Sequence, residues 1–193
     1  MGKLARRGLA LAVVIGLLGV GSYAIAGGGT KNFKGSPLNG YEENPDISTV
    51  ASGSFEARLS RDGTSLHYKL SYSGLEGNVQ QAHVHFGKPA VNGGISFFLC
   101  TNLNVPTDDN CPQAGTVEGD IEAVDVIGPG ATLATPTTPA TAGQGIEPGN
   151  LPEILAAMRA GHTYANVHST KWPGGEIRAQ INNRRGDHDD DDD

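Results

Sequence analysis

A strict alternation of apolar and polar residues is the feature that most constrains the fold of this chain. In the stretch SGSFEARLSRDGTSLHYKLSYS, every second residue of two successive runs is apolar: Phe55, Ala57 and Leu59, then Leu66, Tyr68, Leu70 and Tyr72. A repeat of two residues is typical of a β-strand with one buried face. The sequence RDGT between the runs favours a turn. The stretch therefore predicts a β-hairpin packed on a core.

The rest of the chain predicts short strands joined by loops, with one helix. Further strands are expected at 81–86, 95–99, 115–126, 162–168 and 176–181. The helix is expected to begin at Asn150 as N-cap, with Pro152 just inside, and to stop at Gly161. Strands without regular helices between them indicate an all-β fold, an antiparallel β-sandwich or barrel with one short helix.

The two ends of the chain differ in character from its middle. Three cations precede an apolar run at 9–20, and small residues follow at 24–26, which predicts a secretory signal peptide over residues 1–26. An uncleaved anchor remains the alternative for this segment.

Four further segments complete the expected organisation. They are a Gly-rich joint at 27–35, one domain at 36–182, a Pro/Thr-rich loop within it at 128–149, and a disordered acidic tail at 183–193. The tail is expected to keep the protein in solution, with loose binding of cations as the alternative.

The charge of the chain argues against some classes of partner. Loss of the signal segment removes three cations and takes the net charge from −7 to −10, and six of the remaining acidic residues lie in the tail. The domain itself is therefore only mildly acidic. This excludes nucleic acid and anionic membranes as expected partners, and no membrane insertion is expected beyond the signal segment.

Two cysteines, Cys100 and Cys111, are expected to form a disulfide, because an exported protein reaches an oxidising compartment. The loop that they enclose, TNLNVPTDDN, is polar, and closing it should contribute roughly 3 kcal/mol in the chain-entropy model. Two free thiols that bind a metal are the alternative.

The segment AHVHF places two histidines on one face of a strand. His83 and His85 are two residues apart, so their Cα atoms should lie ~6.7 Å apart, while Ala82 and Val84 point to the opposite, apolar side. His168, in HTYANVHST, is the best third ligand if the two strands are neighbours. Three imidazoles with nitrogens within ~4 Å of one another suit zinc or copper. The alternative is a set of histidines on a polar sheet face that are solvated or hydrogen-bonded and hold no metal.

Other candidate residues carry weaker expectations. Glu176 and His67 are weaker metal ligands, and His67 is expected to be solvated. His162 follows the helix, where the helix dipole favours it. The sequence PGGEIR, residues 173–178, predicts a turn with positive φ followed by a strand that closes the sandwich, in which Glu176 and Arg178 could pair.

Two stretches, AHVHFGKPAVNGGISFFLC and LPEILAAMRAGHTYANVHSTKWPGGEIRAQI, resemble the CHRD domain, and the resemblance covers nearly all of residues 36–182. It implies a β-sandwich of immunoglobulin-like character in extracellular or cell-envelope proteins, without established catalytic activity. The histidines of the family map onto His83, His85 and His168, and its terminal signature maps onto residues 173–178.

A thinner resemblance concerns the copper-zinc superoxide dismutases, whose copper-ligand strand is similar to His83-Val84-His85 followed by Phe-Gly. The bridging-histidine loop and zinc cluster of those enzymes have no counterpart here. Hydrolase motifs such as Gly-x-Ser-x-Gly or His-Glu-x-x-His are also absent from the sequence. We therefore expect no enzyme.

Two functions stay open from the sequence. One is an exported module, secreted, periplasmic or held in the envelope, that binds copper or zinc. The other is a structural or adhesive module without metal, whose partner is an unknown envelope or extracellular component.

Overall fold

The computed structural model describes residues 31–103, 110–127 and 145–181. These residues form two four-stranded antiparallel sheets and one α-helix, which confirms the all-β sandwich. The strands are β1 (Asn32–Leu38), β2 (Ser52–Leu59), β3 (Ser65–Ser73), β4 (Val79–Phe86), β5 (Gly94–Thr101), β6 (Gly115–Glu122), β7 (Thr163–Ser169) and β8 (Ile177–Gln180). The predicted signal segment, the acidic tail and residues 128–144 of the Pro/Thr-rich loop lie outside the described residues.

Sheet A has the strand order β1-β2-β3-β6 and contains the predicted hairpin. Strands β2 and β3 pair in the register that sets Phe55 opposite Leu70 and Ala57 opposite Tyr68. All four side chains are buried, whereas Arg58 and His67, the next pair along the two strands, are exposed. The alternation in the sequence therefore predicted both the pairing and the buried face of this sheet.

Strand β1 corrects the expectation of a Gly-rich joint at 27–35. Residues from Asn32 onward pair with β2, and Phe33 is fully buried in the core. The glycines around Phe33 hid this strand, because glycine disfavours strand interiors. Two fully buried side chains, Phe33 and Leu38, and the pairing with β2 hold the segment in place.

Sheet B has the strand order β5-β4-β7-β8, so β4 and β7 are neighbours as expected. Ala82 and Val84 of β4, with Ala165 and Val167 of β7, are fully buried in the hydrophobic core. Because side chains alternate along a strand, the histidines of β4 and β7 point away from sheet A.

The α-helix, α1, spans Leu151–Arg159 and confirms the predicted helix. The side chain of Asn150 accepts a hydrogen bond from the backbone N–H of Glu153 at 3.2 Å, which is the expected N-cap contact. At its other end, the guanidinium of Arg159 lies 5.9 Å from the ring centroid of Phe33 in β1. The buried residues of the helix, Leu151, Ile154, Leu155 and Met158, belong to the hydrophobic core.

The structure places the sulfur atoms of Cys100 and Cys111 2.07 Å apart, at bonding distance, as the sequence predicts. The bridge joins the end of β5 to the segment that leads into β6. Within the residues that the structure describes, no helix has the length and apolar character needed to span a membrane.

Candidate metal centre

The two neighbouring strands β4 and β7 bring His83, His85 and His168 together. One nitrogen from each ring can be chosen so that all three lie within 4.8 Å of one another. This spread is slightly wider than the expected ~4 Å. An ion ~2.0–2.1 Å from each nitrogen needs nitrogens roughly 3.5 Å apart, so the widest pair has to close by about 1 Å. Small rotations of the side chains supply such a movement.

The three histidines are buried, although they lie on the face of sheet B that points away from the core. His83 is 1% exposed, His168 6% and His85 8%. Their rings contact one another, with centroids 4.5 Å apart for His83 and His168 and 5.0 Å apart for His83 and His85. Burial excludes the solvated form of the alternative for this cluster, whereas the hydrogen-bonded form is compatible with it. Loops from elsewhere in the chain cover what the sequence shows only as a polar face.

Backbone carbonyls orient two of the rings. The Nδ1 atom of His85 lies 3.0 Å from the carbonyl oxygen of Gly93, and that of His168 lies 3.0 Å from the carbonyl oxygen of Pro173. A carbonyl can only accept, so each Nδ1 carries the proton and each Nε2 keeps its lone pair. Metal-binding histidines are commonly fixed in this way by a bond from the ring nitrogen that does not bind the metal.

The cluster has more acceptors than donors. His83 Nδ1 lies 3.1 Å from His85 Nε2, and these two atoms can share one proton. The Nε2 atoms of His83 and His168 are buried and have no hydrogen-bond partner among the described residues. Buried polar atoms normally have partners, and the two lone pairs left here are the groups that a cation satisfies.

Burial keeps the three imidazoles neutral. It lowers the pKa of His85 to about 3, with a further lowering by His168, against the opposing effect of the Gly93 carbonyl. Burial likewise lowers the pKa of His168 to about 4, and that of His83 well below its usual value. At neutral pH the rings therefore hold no extra proton that a metal would have to displace.

A stack of side chains supports His85 from behind. The ring of Tyr164 lies parallel to that of His85, 4.7 Å away between centroids, and its hydroxyl accepts from the N–H of Gly93 at 3.0 Å. The Cζ atom of Arg178 lies 3.3 Å from the centroid of the same tyrosine ring. Since His85 takes one face of Tyr164, the guanidinium takes the other, and the stack holds the imidazole in one orientation.

Arg178 is 2% exposed and corrects the expected pairing with Glu176. Its guanidinium donates to the carbonyl oxygen of Val91 at 3.0 Å in the loop between β4 and β5. Glu176, fully buried, accepts instead from the hydroxyls of Thr49 and Ser169 and from the N–H of Glu76. Two loop-bracing networks thus replace the ion pair, and Glu176 is not part of the histidine cluster.

Asn166 and Glu43 form a second polar contact beside the cluster. Asn166 lies opposite His83 in the register of β4 and β7, and its side-chain nitrogen donates to Glu43 at 2.5 Å. Burial raises the pKa of Glu43 to about 7, although Arg178 and Asn166 act to lower it. Gly175 has φ +126°, and a Cβ there would lie 2.5 Å from the Asn166 amide nitrogen. The positive φ confirms the predicted turn, which also carries the Pro173 carbonyl.

The two other histidines that the structure describes lie outside the cluster. His67 is exposed on sheet A, with its Nδ1 atom 3.2 Å from Asp120, as its solvated position predicts. His162 is exposed directly after α1.

The sequence places Tyr164 and Asn166 on the same face as His168, but sequence reasoning assigned no role at the cluster to the five residues that surround it. These are Glu43, Gly93, Tyr164, Asn166 and Arg178. The alternation of β7 places Tyr164 and Asn166 on the same face as His168 and so signals both residues. No local pattern signals Glu43 or Gly93.

The fold and the site together define a class of protein: a two-sheet antiparallel β-sandwich with three buried histidines on the outer face of one sheet. The chain belongs to the CHRD domain family, because the family model of the CHRD domain matches residues 35–181, which is most of its length. No curated protein and no solved structure matches the chain.

Proposed function

We propose that this protein is an exported CHRD-domain module that binds one copper or zinc ion through His83, His85 and His168. The observation that carries the proposal is the pair of buried Nε2 atoms, on His83 and His168, without a hydrogen-bond partner among the described residues. A buried polar atom without a partner costs about 1–3 kcal/mol. An ion at the centre of the cluster would remove that cost at both atoms.

The donor set supports a borderline or soft metal. Imidazole nitrogens suit zinc and copper, whereas magnesium and calcium prefer oxygen ligands. Burial of all three rings favours the retention of an ion over the turnover of a substrate, because catalytic metal sites keep a position open to solvent. We therefore propose that the protein holds the ion and has no enzymatic activity.

Export is supported by two independent features. The signal-like segment at 1–26 has the order of charge, apolar run and small residues that secretion requires. The disulfide between Cys100 and Cys111 persists in oxidising compartments and is rare in the cytosol. The place of action is then the periplasm, the envelope or the external medium.

The test is a titration of the purified, metal-free protein with zinc(II) and with copper. The double variant His83→Ala/His85→Ala is compared with His67→Ala, which removes an exposed histidine from sheet A. We expect one-to-one binding in the wild type and in His67→Ala, weakened more than ~100-fold in the double variant. A third protein, which lacks residues 184–193, distinguishes metal binding by the cluster from metal binding by the acidic tail.

The contrary outcome is also well defined. Binding that is equally strong in the double variant, or that disappears with the tail, would rule out the cluster as a metal centre. The protein would then be a structural or adhesive module without metal, and the search would turn to partners in the envelope.

A further inference from the structure

We infer that the histidine cluster is built for a monovalent ion, copper(I), in preference to a divalent one. This inference rests on the proposed metal-binding function and narrows it to one ion. Three observations carry it: the charge of the donor groups, the position of a buried cation, and the number of donors.

The donors carry no negative charge. The cluster consists of three imidazoles, and it contains no Asp, Glu or Cys side chain among the described residues. The free energy of burying an ion rises with the square of its charge, so a divalent ion costs about four times as much as a monovalent one of equal size. The three neutral imidazoles supply no negative charge that would offset this difference. A site with its rings 1–8% exposed therefore favours the lower charge.

A buried cation lies behind one ligand. The Cζ atom of Arg178 lies 3.3 Å from the ring centroid of Tyr164, which in turn lies 4.7 Å from that of His85. An ion bound to His85 would be roughly 9 Å from the guanidinium. At that distance, with an effective dielectric constant of ~20, repulsion weakens binding on the order of 20-fold for each unit of charge on the ion.

Glu43 offsets part of this repulsion. Its carboxyl is buried, and its pKa of about 7 leaves it roughly half ionised at neutral pH. The ionised fraction of the carboxylate attracts the bound ion, so the net repulsion from the pair is weaker than that from Arg178 alone. The factor by which the pair changes the affinity of a divalent ion is the square of the factor for a monovalent ion.

The number of metal-binding groups also favours copper(I) over zinc. Structural zinc sites are almost always four-coordinate, and three imidazoles leave zinc one ligand short. Two amide oxygens, of Gln81 and Asn166, are buried without a hydrogen-bond partner among the described residues. They belong to the same strands and the same face as the histidines. They are neutral, however, and would not offset the free energy of burying a second positive charge.

The test measures copper(I) and zinc(II) affinities for the full chain at pH 7. Copper(I) is supplied without oxygen against a colorimetric chelator, and zinc against a fluorescent one. Arg178→Met should raise copper(I) affinity by up to about 20-fold and zinc affinity by a larger factor, whereas Arg178→Lys, which keeps the charge, should stay near the wild type. A purely structural role for Arg178 would instead lower both affinities together.

Glu43→Gln removes a negative charge where Arg178→Met removes a positive one, and it nearly preserves the shape of the side chain. It tests the copper(I) inference if Arg178→Met does not fold. It should lower both affinities, zinc more than copper(I). In direct competition at equal free concentrations, the wild type should hold copper(I).

The outcomes separate the two proposals. A wild type that prefers zinc, or variants that change both affinities by one factor, would overturn the copper(I) inference and leave the metal-binding function intact. A wild type that binds neither ion through the histidines would overturn both.

Discussion

Acidification should destabilise the metal-free protein, because its buried histidines resist protonation. The pKa of His85 falls from 6.5 to about 3 on folding and that of His168 to about 4, chiefly through burial. Below pH 6.5 the unfolded chain therefore takes up protons that the folded protein does not. Stability is fully present above pH 6.5 and is lost as the pH falls towards the folded values.

The size of the loss follows from the linkage relation. Each group contributes about 1.4 kcal/mol per pH unit within this window. Between pH 7 and pH 5, His85 and His168 should each remove about 2 kcal/mol from the free energy of unfolding. His83 adds to the loss, since burial lowers its pKa as well.

Glu43 acts in the opposite direction. Burial raises its pKa from 4.5 to about 7, so the folded protein takes up this proton before the unfolded chain does. Its contribution to stability therefore grows as the pH falls from 7 towards 4.5, by about 2 kcal/mol at pH 5. The wild type should show the histidine effect only in part.

Urea denaturation at pH 7, 6 and 5 in the presence of a chelator measures this balance. Glu43→Gln removes the opposing group and should lose about 2 kcal/mol more than the wild type between pH 7 and pH 5. His168→Asn removes one histidine and should lose about 2 kcal/mol less. Identical pH dependence in all three proteins would refute the assignment of buried, neutral histidines.

Three further predictions concern other parts of the structure. Gly93→Ala would set a Cβ 1.8 Å from a carbonyl oxygen and shift the carbonyl that orients His85, so titration should show metal affinity ~10- to 100-fold weaker. Replacing Cys100 and Cys111 together by serine should lower the free energy of unfolding by roughly 3 kcal/mol in urea, and an unchanged midpoint would contradict the bridge. Glu176→Gln weakens a buried acceptor of three hydrogen bonds. It should cost about 1–3 kcal/mol in thermal denaturation and leave metal affinity unchanged.

Local patterns in the sequence account for most of the strands. The hairpin of β2 and β3 follows from alternation alone, because a repeat of two residues leaves one arrangement with the apolar set inside. The start of α1 at Leu151 follows from the capping side chain of Asn150. The sequence did not predict strand β1. Its place in sheet A depends on the packing of Phe33 in a core formed by residues far away in the chain, and not on its glycine-rich neighbours.

The histidine cluster shows how far local patterns reach. That His83 and His85 share a face is a property of any strand. That His168 joins them required β7 to lie beside β4, which the sequence left as a condition. The strand order of sheet B, in which β4 and β7 are neighbours, brings His168 beside the other two histidines.

Local sequence patterns could not predict which residues cover the cluster. Burial of the face depends on Gly93, Pro173 and Glu43, which lie in three separate segments and contact β4 or β7 only in the folded chain. Side-chain direction along a strand follows from the alternation of neighbouring residues, so the sequence alone determined that His83 and His85 point to the same side. The covering of that face is set by contacts between residues far apart in the chain, so the tertiary structure alone decided that the histidines are buried, neutral and backed by a cation.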